Sequence, residues 1–143
     1  MPQRQETQTL SYSAAQMFDL VADIERYPDF LPWCRDARIL THENGGFVAE
    51  LSVGTRLFND SFTSHVTMER PQSIRVTYCA GPLSHLANVW RFSPRGKTKC
   101  DVSFFVDFDF RSPLLGRAMG LFFDKAFASM VAAFEARARA LYG

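Results

Sequence analysis

The reading of the fold turns on residues 100–113: Cys100-Asp101-Val102-Ser103-Phe104-Phe105-Val106-Asp107-Phe108-Asp109-Phe110-Arg111-Ser112-Pro113. Cys100, Val102, Phe104, Val106, Phe108 and Phe110 fall on one side of an extended chain. Asp101, Ser103, Asp107 and Asp109 fall on the other, with Phe105 the exception. Strand side chains alternate between faces, so this run is one strand of an antiparallel sheet with one face buried and one in water. Ser112-Pro113 then opens a helix, with a serine cap and a proline at the first helical position. At about 100° per residue, Leu115, Met119, Phe122, Phe123, Ala126, Phe127, Met130, Phe134, Ala138 and Leu141 share one broad face of a helix running to about Tyr142. Arg117, Asp124, Glu135 and Arg139 lie opposite. A face that broad must be buried, and a sheet is the only partner large enough.

The rest of the chain supplies that sheet. Residues 4–11 read as an edge strand. Ser13 with Gln16 makes a capping box, and Met17, Phe18, Leu20 and Val21 give a short amphipathic helix over residues 14–22. Asp23 is placed to cap a second short turn over 24–27, and Pro28 and Pro32 forbid a longer helix. Asn44-Gly45-Gly46 signals a hairpin. Phe47, Ala49, Leu51 and Val53 alternate. So do Phe58, Phe62, Val66 and Met68, interrupted by Asp60 and Ser64. Ile74, Val76 and Tyr78 follow, then Gly81-Pro82, then Leu86, Trp90 and Phe92, then Pro94-Arg95-Gly96. The expected fold is α+β: a curved antiparallel sheet of about seven strands wrapped around a long C-terminal helix, with two short helices after the first strand, in one domain over 1–143. This helix-grip arrangement leaves a space between helix and sheet.

The composition narrows the function. The chain has 143 residues, 47% hydrophobic and 22% charged, with a net charge of +1. A length of this order buries a core without disulfides or a metal. Near-neutral charge gives no broad footprint for nucleic acid, and DNA is not an expected partner. No apolar run approaches the ~18 residues of a membrane span, and the first residues carry no apolar signal segment. The expected location is the cytoplasm, with peripheral contact with an inner membrane. Cys34, Cys79 and Cys100 form no C-x-x-C pair and read as free thiols. His42, His65 and His85 have no metal-ligand spacing, and phosphate-loop, dinucleotide and nucleophile-elbow motifs are absent. Asp107 and Asp109 share a strand face with polar neighbours, as solvated side chains do. Arg91, Arg95, Lys97 and Lys99 crowd one hairpin tip. Leu114 and Leu121 fall on the polar side of the last helix, where exposed leucines beside bases suit a membrane surface or a partner. The unusual number is 14 Phe, which calls for a large apolar interior or a cavity lined with rings.

Tyr27-Pro28-Asp29-Phe30-Leu31-Pro32-Trp33-Cys34 resembles a block of the coenzyme Q-binding family within the START/polyketide cyclase-like superfamily. By sequence this family merges with the ribosome-association toxins of the RatA type. Val53-Gly54, Phe62-Thr63-Ser64, Gly81-Pro82 with Leu86 and Trp90-Arg91-Phe92, Asp107-Phe108-Asp109-Phe110, and residues 130–138 extend the resemblance over nearly the whole chain. The sequence departs from the pattern at Leu83-Ser84 and at Thr55. The resemblance implies a helix-grip fold and non-enzymatic binding of ubiquinone or a related polyprenyl lipid in a hydrophobic cavity, with no other cofactor, in support of respiratory electron transport. By the toxin-like relatives it implies binding to the large ribosomal subunit instead, and by the superfamily a polyketide cyclase-like enzyme. Carried over by position, Tyr27, Pro28, Phe30, Leu31, Pro32 and Trp33 form the mouth or lid. Candidate wall residues are Leu51, Val53, Phe62, Trp90, Phe92, Phe104, Phe108, Phe122, Phe123 and Phe127. An enzyme needs a polar group inside, and His65 and Asp60 are the candidates.

Overall fold

After the first strand, strands that follow one another in sequence are also neighbours in the sheet. The computed structural model describes residues 3–54 and 59–143, the side chains of 118–124 and 126 excepted. Its strands are β1 (Gln3–Leu10), β2 (Cys34–Glu43), β3 (Gly46–Gly54), β4 (Asn59–Glu69), β5 (Ser73–Ala80), β6 (Leu83–Pro94) and β7 (Cys100–Phe110). They form one seven-stranded sheet in the order β1-β7-β6-β5-β4-β3-β2, and every pairing is antiparallel. The sheet is a meander whose first strand returns to pair with the last. The expected fold class is the observed one.

Between β1 and β2 lie α1 (Ala14–Ala22) and a 3-10 helix (Ile24–Asp29). The capping box forms as the sequence requires. The Gln16 amide donates to Ser13 Oγ at 3.1 Å, and the Ser13 amide donates to Gln16 Oε1 at 3.0 Å. The second turn departs from expectation in two ways. Asp23 makes no side-chain cap bond, and the helix continues through Pro28 to Asp29. A 3-10 helix tolerates this proline because its fixed φ is helical and only one donor is lost.

The long helix α2 (Pro113–Tyr142) starts at the expected cap, with the Leu115 amide donating to Ser112 Oγ at 3.2 Å. Phe134 and Ala138 are buried on its inner face. Leu141, expected on that face, is 50% exposed. The last turn outruns the sheet and is held instead by Tyr142, whose hydroxyl donates to the Gln16 carbonyl at 3.0 Å. Leu114 is 78% exposed, while Leu121 lies outside the described side chains. All three cysteines are free, with Cys34 and Cys100 buried and Cys79 exposed. Among the described residues no helix is long and apolar enough to cross a membrane.

Candidate functional site

The inner faces of β3 to β7 do not meet α2 everywhere, and a cavity of about 320 Å³ lies between them. Its wall follows the two-residue period of the strands. β3 contributes Ala49, Leu51 and Val53, and β4 contributes Phe62, Ser64 and Val66. From β5 come Ile74 and Val76, from β6 Leu86, Asn88 and Trp90, and from β7 Phe104, Val106, Phe108 and Phe110. Phe127, Met130 and Phe134 of α2 close one side, and Val21, Ile24, Tyr27, Leu31 and Trp33 another. Trp90, Phe104 and Phe134 are buried, whereas Leu51, Val53, Phe62, Phe108 and Phe110 are half-buried. The cavity therefore passes from a closed end near Trp90 towards a less covered end near Phe62 and Phe110.

Rings close the buried end. Trp90 meets Phe104 at 4.6 Å and Phe134 at 5.1 Å between centroids, and Phe104 meets Phe127 at 5.3 Å. These tilted contacts let several rings share one small volume, as edge-to-face geometry favours.

The aromatic loop behaves as both wall and staple. The three-residue period of the 3-10 helix turns Ile24 and Tyr27 inward, and Leu31 follows, its amide bonded to the Tyr27 carbonyl at 2.8 Å. The Trp33 carbonyl accepts from the Gly54 amide at 2.9 Å, which ties the loop to the end of β3. Pro28, Phe30 and Pro32, expected at the mouth, do not line the cavity. Pro32 is exposed and Pro28 half-buried on the outside of the turn. Phe30 packs on Phe134 at 5.2 Å, with the Arg137 guanidinium 5.3 Å over its ring.

Phe92 also departs from expectation. It shares the inner face with Trp90 and is buried, but it lies beneath α1, edge-on to Phe18 at 5.8 Å, and not on the cavity wall. The side chains of Phe122 and Phe123, and residue Thr55, lie outside the described residues. Tyr27, Leu31, Trp33, Leu51, Val53, Phe62, Trp90, Phe104, Phe108 and Phe127 are brought together.

Two polar side chains that the sequence alone does not assign to the cavity, Ser64 and Asn88, stand in its wall. Ser64 stands in phase with Phe62 and Val66, and Asn88 in phase with Leu86 and Trp90, so each is a polar break in an apolar alternation. His65 and Asp60, the expected interior candidates, do not reach the cavity. His65 is exposed on the outer face beside Glu43, and Asp60 is exposed. Asp107 and Asp109 sit on the outer face and have separate partners. Asp107 lies 3.2 Å from His85 Nε2, and Asp109 Oδ1 accepts from the Phe110 amide.

Tyr27 is the one titratable side chain on the wall among the described residues. Burial raises its pKa, chiefly because the charged form would lose its water, and its hydroxyl donates to the Val21 carbonyl at 2.5 Å. Among the described residues no cluster of three His, Cys, Asp or Glu side chains is placed to hold a metal ion.

Residues 10–135 match the family of polyketide cyclases/dehydrases and lipid transport proteins. The ribosome association toxin RatA of Escherichia coli K12 is 37% identical over 142 residues, covering 99% of this chain and 90% of the toxin. The mitochondrial coenzyme Q-binding protein COQ10 homolog B of Xenopus laevis is 38% identical over 143 residues, covering 96% of this chain and 58% of the frog protein. The crystal structure of the Zhui aromatase/cyclase from Streptomyces sp. R1128 aligns with a TM-score of 0.83 over 96% of this chain and 93% of that one, at 19% identity, a likeness of fold.

Proposed function

This chain belongs to the polyketide cyclase/dehydrase and lipid transport family, and we propose that within it the chain works as a non-enzymatic binding protein for ubiquinone or a related polyprenyl lipid. The observation that carries this reading is the cavity itself, about 320 Å³ of space walled, among the described residues, by hydrocarbon and aromatic rings apart from Ser64 and Asn88. Ligand pockets run from roughly 300 to 1,000 Å³, so the space suits a ring with its first isoprenoid units. The rest of a longer tail leaves past the half-buried end at Phe62 and Phe110. Each methylene taken from water contributes roughly 0.8 kcal/mol, so a short buried stretch of tail already gives firm retention. A ligand of this kind resides in a bilayer, which makes the protein a peripheral visitor to the inner membrane. Leu114, exposed between the exposed Arg111 and Arg117 at the start of α2, suits that contact.

The wall argues for holding over transforming. Acid–base catalysis needs a group that gives or takes a proton near neutrality, and Tyr27 is held protonated and already hydrogen-bonded. The test is direct. The protein is purified from a quinone-producing host and extracted with organic solvent, and the extract is identified by mass spectrometry. A stoichiometric polyprenyl quinone is expected; an empty extract together with no uptake of added quinone overturns the reading.

The second reading is contact with the large ribosomal subunit. It is supported by the similarity to ribosome association toxins and by a basic tip at the turn from β6 to β7. There Arg91, Lys97 and Lys99 are exposed, while Arg95 is held to Asp101 at 2.6 Å. Arg139 is exposed near the end of α2, whereas Arg137 is drawn over Phe30. Salt-sensitive co-sedimentation with the large subunit is then expected. No co-sedimentation at low salt rejects it.

A further inference from the structure

Ser64 is 1% exposed, and among the described residues its hydroxyl forms no hydrogen bond. It is not sealed in, because every fully enclosed side-chain nitrogen or oxygen among those residues has a partner. The little of Ser64 that is open, at the wall of the cavity, therefore includes its Oγ. Leaving a buried hydroxyl without a partner costs roughly 1–3 kcal/mol, so an unpartnered serine in an apolar wall marks a place where something else supplies the bond. Asn88 is the second such place. Its Nδ2 donates to the Phe105 carbonyl at 2.8 Å. Turning the amide over would set two acceptors against each other, so this bond fixes its orientation and leaves Oδ1 and one N–H for another partner.

The register locates the pair. Ser64 lies opposite Tyr78 on β5, and Asn88 lies opposite Val76 on β5, two strands from Ser64 on the same inner face. With strands ~4.8 Å apart, the two side chains stand roughly 10–12 Å apart across a concave sheet. A planar ring with oxygens on opposite edges, and a hydrogen bond at each, spans such a distance. Asn88 is two residues from Trp90, at the closed end, while the described wall residues at the half-buried end by Phe62 and Phe110 are apolar.

We propose that Ser64 and Asn88 bind the oxygen atoms of the ligand's ring, so that the headgroup enters first and the tail trails out past Phe62 and Phe110. This rests on the quinone-binding reading and adds an orientation and two specificity-determining residues to it. Tail-first entry would bury two polar side chains against hydrocarbon and leave the ring at the surface.

The test uses a short-tailed ubiquinone analogue and an isoprenoid hydrocarbon that lacks the ring. Trp33→Phe leaves Trp90 as the single tryptophan. Quenching of its fluorescence by the quinone ring then reports whether the ring reaches the closed end. Strong quenching is expected. Ser64→Ala and Asn88→Leu are each expected to weaken the quinone analogue about three- to tenfold, as loss of one net hydrogen bond implies, and to leave hydrocarbon retention unchanged or higher. Ser64→Ala removes one oxygen and keeps the fold, so the test does not depend on Asn88→Leu folding. Retention of quinone with no quenching, or with no loss in Ser64→Ala, overturns the orientation while leaving quinone binding intact. Failure of the unsubstituted protein to take up the analogue overturns the parent reading instead.

Discussion

The rings of Tyr27 and Phe134 meet edge to face, centroids 5.5 Å apart and planes at 89°, and this contact fastens the loop before β2 to α2. Phe134 also meets Phe30 and Trp90, so one side chain joins the loop, the long helix and the sheet. Truncating a buried phenylalanine at such a junction removes its burial and leaves a hole. Phe134→Ala is expected to lower unfolding stability by about 3–5 kcal/mol. Tyr27→Phe keeps the ring and deletes only the hydroxyl that bonds the Val21 carbonyl. Its expected cost is about 1–2 kcal/mol. Urea unfolding midpoints at constant slope check both, and equal costs would contradict the division of roles between ring and hydroxyl.

Gly81 tests how the turn before β6 shapes the cavity. Its φ is +143°, and a Cβ built there would lie 2.6 Å from Cβ of Phe62, a wall residue. Gly81→Ala combines backbone strain of order 1–3 kcal/mol with a push on that ring. Lower stability and weaker quinone retention are both expected. Gly96 has a φ of +81° with nothing within 4 Å of its added Cβ, so Gly96→Ala carries the strain without the push. Thermal unfolding and ligand uptake on the two variants should separate, with retention lost only at Gly81.

Cys34 gives a pH dependence whose sign follows from its burial. Loss of water around the thiolate pushes its pKa up to about 11. An unfolded thiol titrates near about 8.5. The fold favours the protonated thiol, so the stability it contributes is complete below about pH 8.5 and is lost as pH rises towards about 11. Unfolding midpoints should fall over that window, and Cys34→Ala should flatten the fall. Alkylation gives an independent reading. Exposed Cys79 should react first at mildly alkaline pH, with Cys34 and Cys100 slow until the protein unfolds.

Local chemistry made most of the fold legible. Alternation in β7 holds at every position but Phe105, the Ser13–Gln16 cap is a two-residue device, and Asn44-Gly45-Gly46 turns the chain where expected. Each signal depends only on neighbours in sequence. The cavity was legible as a set of inward positions but not as a boundary. Trp90 and Phe92 share one face of β6, and only the landing of Phe18 on Phe92 separates core from cavity wall. The resemblance puts Pro28, Phe30 and Pro32 at the mouth with Tyr27, whereas the 3-10 turn leaves Pro28 half-buried, and beyond its end Phe30 packs on Phe134 and Pro32 is exposed. Ser64 and Asn88 left a signal, a polar residue in phase with apolar ones. Its meaning depended on empty space in front of it, which no periodicity carries.

Val76 offers the sharpest check on the cavity as a binding space. It lies on β5 opposite both Val66 and Asn88, and its side chain faces the free volume. In a packed core, enlarging such a residue forces neighbours off their rotamers and costs about 1–3 kcal/mol. In front of open space, the added ring gains contact at little strain. Val76→Phe is therefore expected to leave stability within about 1 kcal/mol of the parent, or above it, while cutting quinone uptake at least about tenfold by filling the ligand's place. Denaturant unfolding and solvent extraction of the same preparation measure the two quantities side by side. A strongly destabilised variant would mean that the space closes in solution. A stable variant with undiminished uptake would mean that the ligand sits elsewhere.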